Sequence, residues 1–174
     1  MGNDEPVTFD EYVVSRSPAL LRFGAALTGD PYLAEDLVQS ALVKAHRHWR
    51  TVSTADHPDA YVRRVMVTTH VSAGRKRRVL ETLTSVLPER SLGTDLAEQV
   101  GDRDELERAI RRLPPQQRAV LVLRHYAGYE DAAIADVLGC SEGSVRAYAS
   151  KGATALRAAL HAADQADDLH RSGT

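Results

Sequence analysis

The 174-residue sequence predicts an all-α fold built as two small helical domains joined by a flexible linker. Three observations carry that prediction. Apolar residues recur at helical spacing over 9–45, 58–78 and 102–163, and no alternating strand pattern with hairpin turns appears. Between about Val79 and Gly101 the periodicity fails, because Ser, Thr, Gly, Pro and acidic residues interrupt scattered leucines. The remaining punctuation (Gly29-Asp30-Pro31, Pro58, Pro114-Pro115, Gly128 and Gly139) falls between periodic runs, where helices start and stop.

A first stripe runs through Phe9, Tyr12, Val13, Leu20, Leu21, Phe23 and Leu27, with a break expected near Ser17-Pro18 and an end at Thr28-Gly29. Asp30-Pro31 then supplies a capping oxygen and a residue pre-set to helical φ that needs no backbone donor. The next helix presents Leu33, Leu37, Val38, Ala41, Leu42 and Ala45 on one face. Residues 51–57 read as a polar loop. Pro58 opens a third helix that turns Tyr61, Val62, Val65 and Val71 inward and ends near Arg78. The second unit begins at Asp102, with Glu105 at capping-box spacing. Pro114-Pro115 separates its first helix from Gln116–Tyr126, and helices over about Glu130–Leu138 and Glu142–Ala163 follow. The expected organisation is a domain over 8–78, a tether over 79–101, a domain over 102–163 and a polar tail over 164–174, with no internal repeat.

Composition narrows the chemistry. No run approaches the ~20 apolar residues of a membrane span, and the acidic start is unlike a secretory signal, so a cytoplasmic protein without membrane attachment is expected. A single cysteine, Cys140, excludes an internal disulfide and a Cys-based zinc cluster. Charge is nearly balanced, 22 basic against 24 acidic residues, but it is not evenly spread. Residues 60–80 hold six basic side chains and no carboxylate, whereas Glu81–Glu107 holds eight acidic residues against two basic ones. That asymmetry suits a local nucleic-acid footprint inside a chain of neutral average charge.

Tyr129–Arg146 has helix-turn-helix grammar. Ala133 is small where two helices are to approach, Ile134, Val137 and Leu138 point inward, Gly139 stops the first helix, and Ser141 can cap the second. Val145 packs back, which leaves Arg146, Ala147, Ser150 and Lys151 adjacent on the opposite face. Such a face fits a major groove, where arginine reads guanine edges and lysine meets phosphate.

In the first unit, Ala34–Leu42 forms an amphipathic helix with Glu35, Asp36 and Gln39 on its polar edge, followed by Trp49, a loop, Pro58–Arg64 and a basic end. These blocks, in this order and ahead of a tether and a helix-turn-helix, closely resemble the extracytoplasmic-function sigma factors, and most of all the actinobacterial sigma-E family. The likeness covers about 8–78 and 102–160. It implies a region 2 helical bundle and a region 4 helix-turn-helix. It also implies that Asp36, Leu37, Val38 and Gln39 bind the β′ clamp helices of core RNA polymerase. By the same likeness, Arg63, Arg64, His70, Arg75 and Lys76 lie along the start-proximal promoter element, which the first domain opens. The second domain is expected to grip the β flap and to read the upstream element with Ser144, Arg146, Ala147, Ser150 and Lys151. His70 stands where many members carry asparagine, and Tyr148-Ala149 replaces a common basic or apolar pair. The family habit also implies an anti-sigma partner.

Beside that resemblance, promoter opening requires basic residues on phosphates and pockets or aromatics that hold unstacked bases. Trp49 is expected in the core rather than against a base. His46 and His48 are two apart and do not share a helix face, so no metal site is expected. Cys140 reads as a small apolar plug in the helix turn. No catalytic constellation and no cofactor loop appears, so the chain is expected to be an alternative sigma factor and not an enzyme. Two other classes compete: a helix-turn-helix regulator acting without polymerase, and an all-α interaction module.

Overall fold

The computed structural model describes residues 7–55, 57–83 and 102–171, and among them every regular element is helical. The first unit comprises α1 (Phe9–Thr28), α2 (Pro31–Arg47), the single turn α3 (Trp49–Val52) and α4 (Pro58–Leu83). Thr8 and Glu11 start α1 as a capping box: the Thr8 hydroxyl accepts from the Glu11 amide at 3.3 Å, and the Glu11 carboxylate accepts from the Thr8 amide at 3.0 Å. The bond from the Thr8 amide, then that from its hydroxyl, holds the Glu11 carboxyl below its ordinary range.

Contrary to the expected break, α1 runs straight through Pro18. Proline removes one helical donor, but Val14, whose carbonyl loses that donor, is 80% exposed, so water can replace it. The neighbouring Val13 carbonyl accepts from the Ser17 hydroxyl at 2.6 Å. The helix stops at Gly29, and Asp30 Oδ1 then accepts from the amides of Tyr32 (2.8 Å) and Leu33 (3.0 Å) to open α2.

α1, α2 and α4 bury Leu20, Phe23, Leu27, Leu37, Val38, Ala41, Val62, Met66 and Val67 against one another. Leu21 and Leu33, expected on the apolar stripes, are instead exposed at the stripe edges. Trp49 is half-buried: it stacks edge-on with Phe9 and tilts against Tyr12, and its indole donates to the Val7 carbonyl at 3.0 Å.

The second unit comprises α5 (Asp102–Arg112), α6 (Pro115–Leu121), a π-turn over Val122–Tyr126, α7 (Asp131–Leu138) and α8 (Glu142–Arg171). The expected continuous helix to Tyr126 is interrupted, because the Ala127 amide donates to the Val122 carbonyl five residues back. The wider turn buries Val122 and Leu123 together and lets Arg124 pair with Asp131. Helices α4 and α8 also outrun their expected ends near Arg78 and Ala163. The segments 79–83 and 164–171 contain no Gly or Pro to stop them. The tether expected over 79–101 lies, from residue 84 on, outside the described residues.

The two units are packed together. α4 lies against α6 and α7, the end of α1 lies against α6 and the π-turn, and the buried residues of both units form one cluster.

Candidate nucleic-acid interface

The helix-turn-helix is built largely as its residues dictate. Gly139 takes φ 63°, a left-handed value that a side chain resists, and its amide donates back to the Ala135 carbonyl to close α7. The Ser141 hydroxyl then accepts from the Ser144 amide at 3.1 Å and caps α8. Ile134, Val137 and Val145 are buried, and Leu138, Cys140 and Tyr148 pack partly against them. One expectation is corrected: Ala133 is exposed, and the small residue buried in the cluster is Ala135, two positions on. Cys140 is half-buried, and burial raises its thiol pKa, as suits a plug.

Along α8, Arg146, Ala147, Ser150 and Lys151 are all exposed on one face. Arg146 Nη1 reaches the Glu142 carboxylate at 3.4 Å, a solvent-exposed pair that restrains the guanidinium little. Ser144 is half-buried, with its hydroxyl 3.0 Å from that of Ser141.

On α2 the four residues of the first motif divide. Leu37 and Val38 are buried in the core, at 7% and 4% exposure, whereas Asp36 and Gln39 face outward. The surface α2 offers a partner is therefore a shallow groove lined by Asp36, Gln39, Ser40, Val43, Lys44 and Arg47.

On α4, Arg75 and Lys76 are exposed, but the residues before them are engaged. Arg63 lies over the Phe23 ring, 5.6 Å from its centroid, and Arg64 donates to the Asp136 carbonyl of α7 at 3.3 Å. His70 is half-buried, with Nε2 enclosed and unpaired. Burial first, then the charges of Arg118 and Arg77, hold its pKa down at about 4, so the imidazole is neutral at physiological pH.

Sequence reasoning missed two features. The first is a cleft of about 360 Å³ beside the start of α4, lined by Tyr12, Arg16, Trp49, His57 and Asp59 among others. Arg16 Nε lies 3.5 Å from Asp59 Oδ1, and the Tyr12 hydroxyl and that same Oδ1 are buried without a well-formed hydrogen bond. Burial first, then the Asp59 carboxylate, raises the Tyr12 phenol. The second is Arg118, which lies almost fully buried between the units. The only signal for it is a lone cation leading the apolar run Ala119–Leu123.

Comparison with known proteins agrees with this geometry. Residues 13–79 match the model of Sigma-70 region 2, and residues 103–156 match that of Sigma-70, region 4. The RNA polymerase sigma-E factor of Streptomyces coelicolor is 39% identical over 160 residues, which span 92% of this chain and 90% of that one. The chain belongs to the extracytoplasmic-function sigma factors. The ECF RNA polymerase sigma factor SigL of Mycobacterium tuberculosis is a more distant relative of this sigma factor, 31% identical over 87% of this chain and 86% of that one. In fold, this sigma factor is similar to the sigma factor RpoE of Bartonella quintana, solved in complex with the anti-sigma factor NepR. The TM-score is 0.66 at 23% identity, over 88% of this chain and 96% of that one. Among the described residues of this sigma factor, no helix is long and apolar enough to cross a membrane.

Proposed function

We propose that the chain is an alternative sigma factor that seats on core RNA polymerase, directs it to a subset of promoters and helps to open start-proximal DNA, without catalysing a reaction itself. The observation that carries this reading is the pairing, in one chain, of an exposed recognition helix on the second unit with a basic α4 on the first. One helix-turn-helix binds DNA. Two separate reading surfaces beside a polar groove suit a factor that spans two promoter elements on a larger enzyme.

In this reading Asp36 and Gln39 meet the β′ clamp helices from the groove, while Leu37 and Val38 hold α2 in place beneath them. The second unit grips the β flap and presents Ser144, Arg146, Ala147, Ser150 and Lys151 to the upstream element. Arg63, Arg64, His70, Arg75 and Lys76 follow the start-proximal strand. The adjoining cleft, lined by the Tyr12 hydroxyl and the Asp59 carboxylate, has room and hydrogen-bonding groups for an unstacked base. The protein acts in the cytoplasm, and an anti-sigma protein that clamps the units is part of the same proposal. A pull-down recovering only polymerase speaks against that last element.

The test is in vitro transcription with core polymerase and a pool of genomic templates, with the starts sequenced. Selective initiation that depends on the added chain is expected. Initiation that is unselective, or promoter binding that is equally tight without core enzyme, favours a helix-turn-helix regulator instead.

A further inference from the structure

We infer that α8 continues its contact with DNA beyond the turns that read the upstream element. Arg157 holds a backbone phosphate on the flank of that element and so fixes the angle at which α8 enters the groove. The inference rests on the sigma-factor reading and adds a positioning residue to it.

α8 is one uninterrupted helix over Glu142–Arg171, and the turns that carry Arg146, Ala147, Ser150 and Lys151 are only its first part. Its two sides stay distinct well beyond them. Val145, Ala149 and Gly152 are buried, and Leu156, Ala159 and Leu160 are half-buried on the same side. The helix lies against α5, α6 and α7. At Gly152 the approach is so close that a Cβ would stand 3.1 Å from Leu121 Cδ1 and 3.4 Å from Gln117 Cβ of α6. The helix is therefore fixed to its unit along much of its length, and a contact made far along it constrains its tilt.

The opposite side carries Arg146, Ser150, Arg157 and His161, which are four, seven and four residues apart and all exposed. The step from Arg146 to Arg157 is three helical turns and about 20° more, so Arg157 stands along the axis from Arg146 at a distance of about 16 Å. A major groove is only about 12 Å wide. It curves away from a straight helix, so with Arg146 on the base edges Arg157 reaches the groove wall, where phosphates are presented. The charge suits that place. From Gly143 to Ala163 there is no Asp or Glu, while Arg146, Lys151 and Arg157 are cationic. Among the described residues no carboxylate pairs with Arg157, which leaves its planar guanidinium able to take a phosphate in bidentate fashion. Thr154 and Ala158, exposed beside it, are small, so a sugar-phosphate edge can come close.

The test uses Arg157→Ala and Arg157→Lys, each assembled with core polymerase. Binding to promoter DNA is measured across a range of salt, with the upstream element matched or scrambled. We expect Arg157→Ala to weaken binding to both DNAs alike, by about five- to tenfold at ~0.1 M salt. The slope of log K against log salt should fall by about one, and Arg157→Lys should restore both quantities. Neutral methylphosphonates placed one at a time along the flank give a second readout. At one position the substitution should weaken the unsubstituted chain as much as Arg157→Ala does, and cost Arg157→Ala nothing further. Unchanged affinity and slope in Arg157→Ala, or a loss confined to the matched element, overturns the inference. So does weaker retention of core polymerase with an unaltered slope, which would set Arg157 against protein. Failure of the sigma-factor reading shows itself differently, as no selective promoter binding by core polymerase with the unsubstituted chain, and the inference then falls with it.

Discussion

Asp36 and Leu37 are neighbours in sequence with opposite tasks, because one faces a groove and the other the core. Leu37→Ala should cost about 2–5 kcal/mol of stability through the cavity it leaves, read as a shift in denaturation midpoint. Asp36→Arg should leave that midpoint within about 0.5 kcal/mol, as surface changes do, and abolish co-purification with core polymerase. Equal retention of polymerase by Asp36→Arg would place the contact elsewhere on α2. Arg146 differs again, since Glu142, with which it pairs, is also exposed. Arg146→Ala should therefore spare the fold and weaken upstream recognition by ~1–3 kcal/mol per lost bidentate base contact. Run-off transcription from matched and scrambled upstream elements checks this, and an undiminished preference for the matched element would count against it.

At the level of the helices, the sequence was most legible where a local rule decides the outcome. The Asp30-Pro31 start, the Gly139 stop, the Ser141 cap and Pro58 opening α4 all stand where their chemistry puts them. It misled where context overrides the local rule. Pro18 reads as a break, yet an exposed site on one helix face tolerates a missing donor. The prediction that follows is that Pro18→Ala raises stability by about 1–3 kcal/mol, since alanine restores the donor and suits a helix interior. A lower melting temperature would mean that the proline fits a bend the helix needs. The π-turn was invisible for a related reason: a five-residue hydrogen bond leaves no periodic trace over so short a run, and its cause, the joint burial of Val122 and Leu123, is tertiary. The true helix ends beyond Arg78 and Ala163 are hidden because polarity there suggests a stop, although no Gly or Pro in 79–83 or 164–171 breaks a helix.

Across the whole molecule, the two helical units were foreseeable, but their docking was not. Periodicity places residues on a helix face without saying which other face covers it, and Arg118 looks from sequence like any solvated cation. The docking carries a pH signature through His70. Its pKa in the docked chain, about 4, lies below the ordinary 6.5, so the docked state prefers the neutral ring. That preference is complete above pH 6.5 and is lost as the pH falls from there toward 4, by up to ~1.4 kcal/mol per pH unit. Acidification from about pH 7.5 to about pH 5.5 should loosen the docked form, read as energy transfer between dyes on the two units, and His70→Gln should flatten the response even though Arg118 and Arg77 remain beside the site. An unaltered acid response in His70→Gln would assign the effect to other groups. The four oxygens that accept from the buried Arg118, the carbonyls of Leu27, Thr28, Arg111 and Leu113, have a further consequence. All belong to the main chain, so no codon change at positions 27, 28, 111 or 113 deletes an acceptor outright. Arg118→Gln should therefore lower the melting temperature, whereas Arg111→Ala, which keeps its carbonyl, should leave it nearly unchanged.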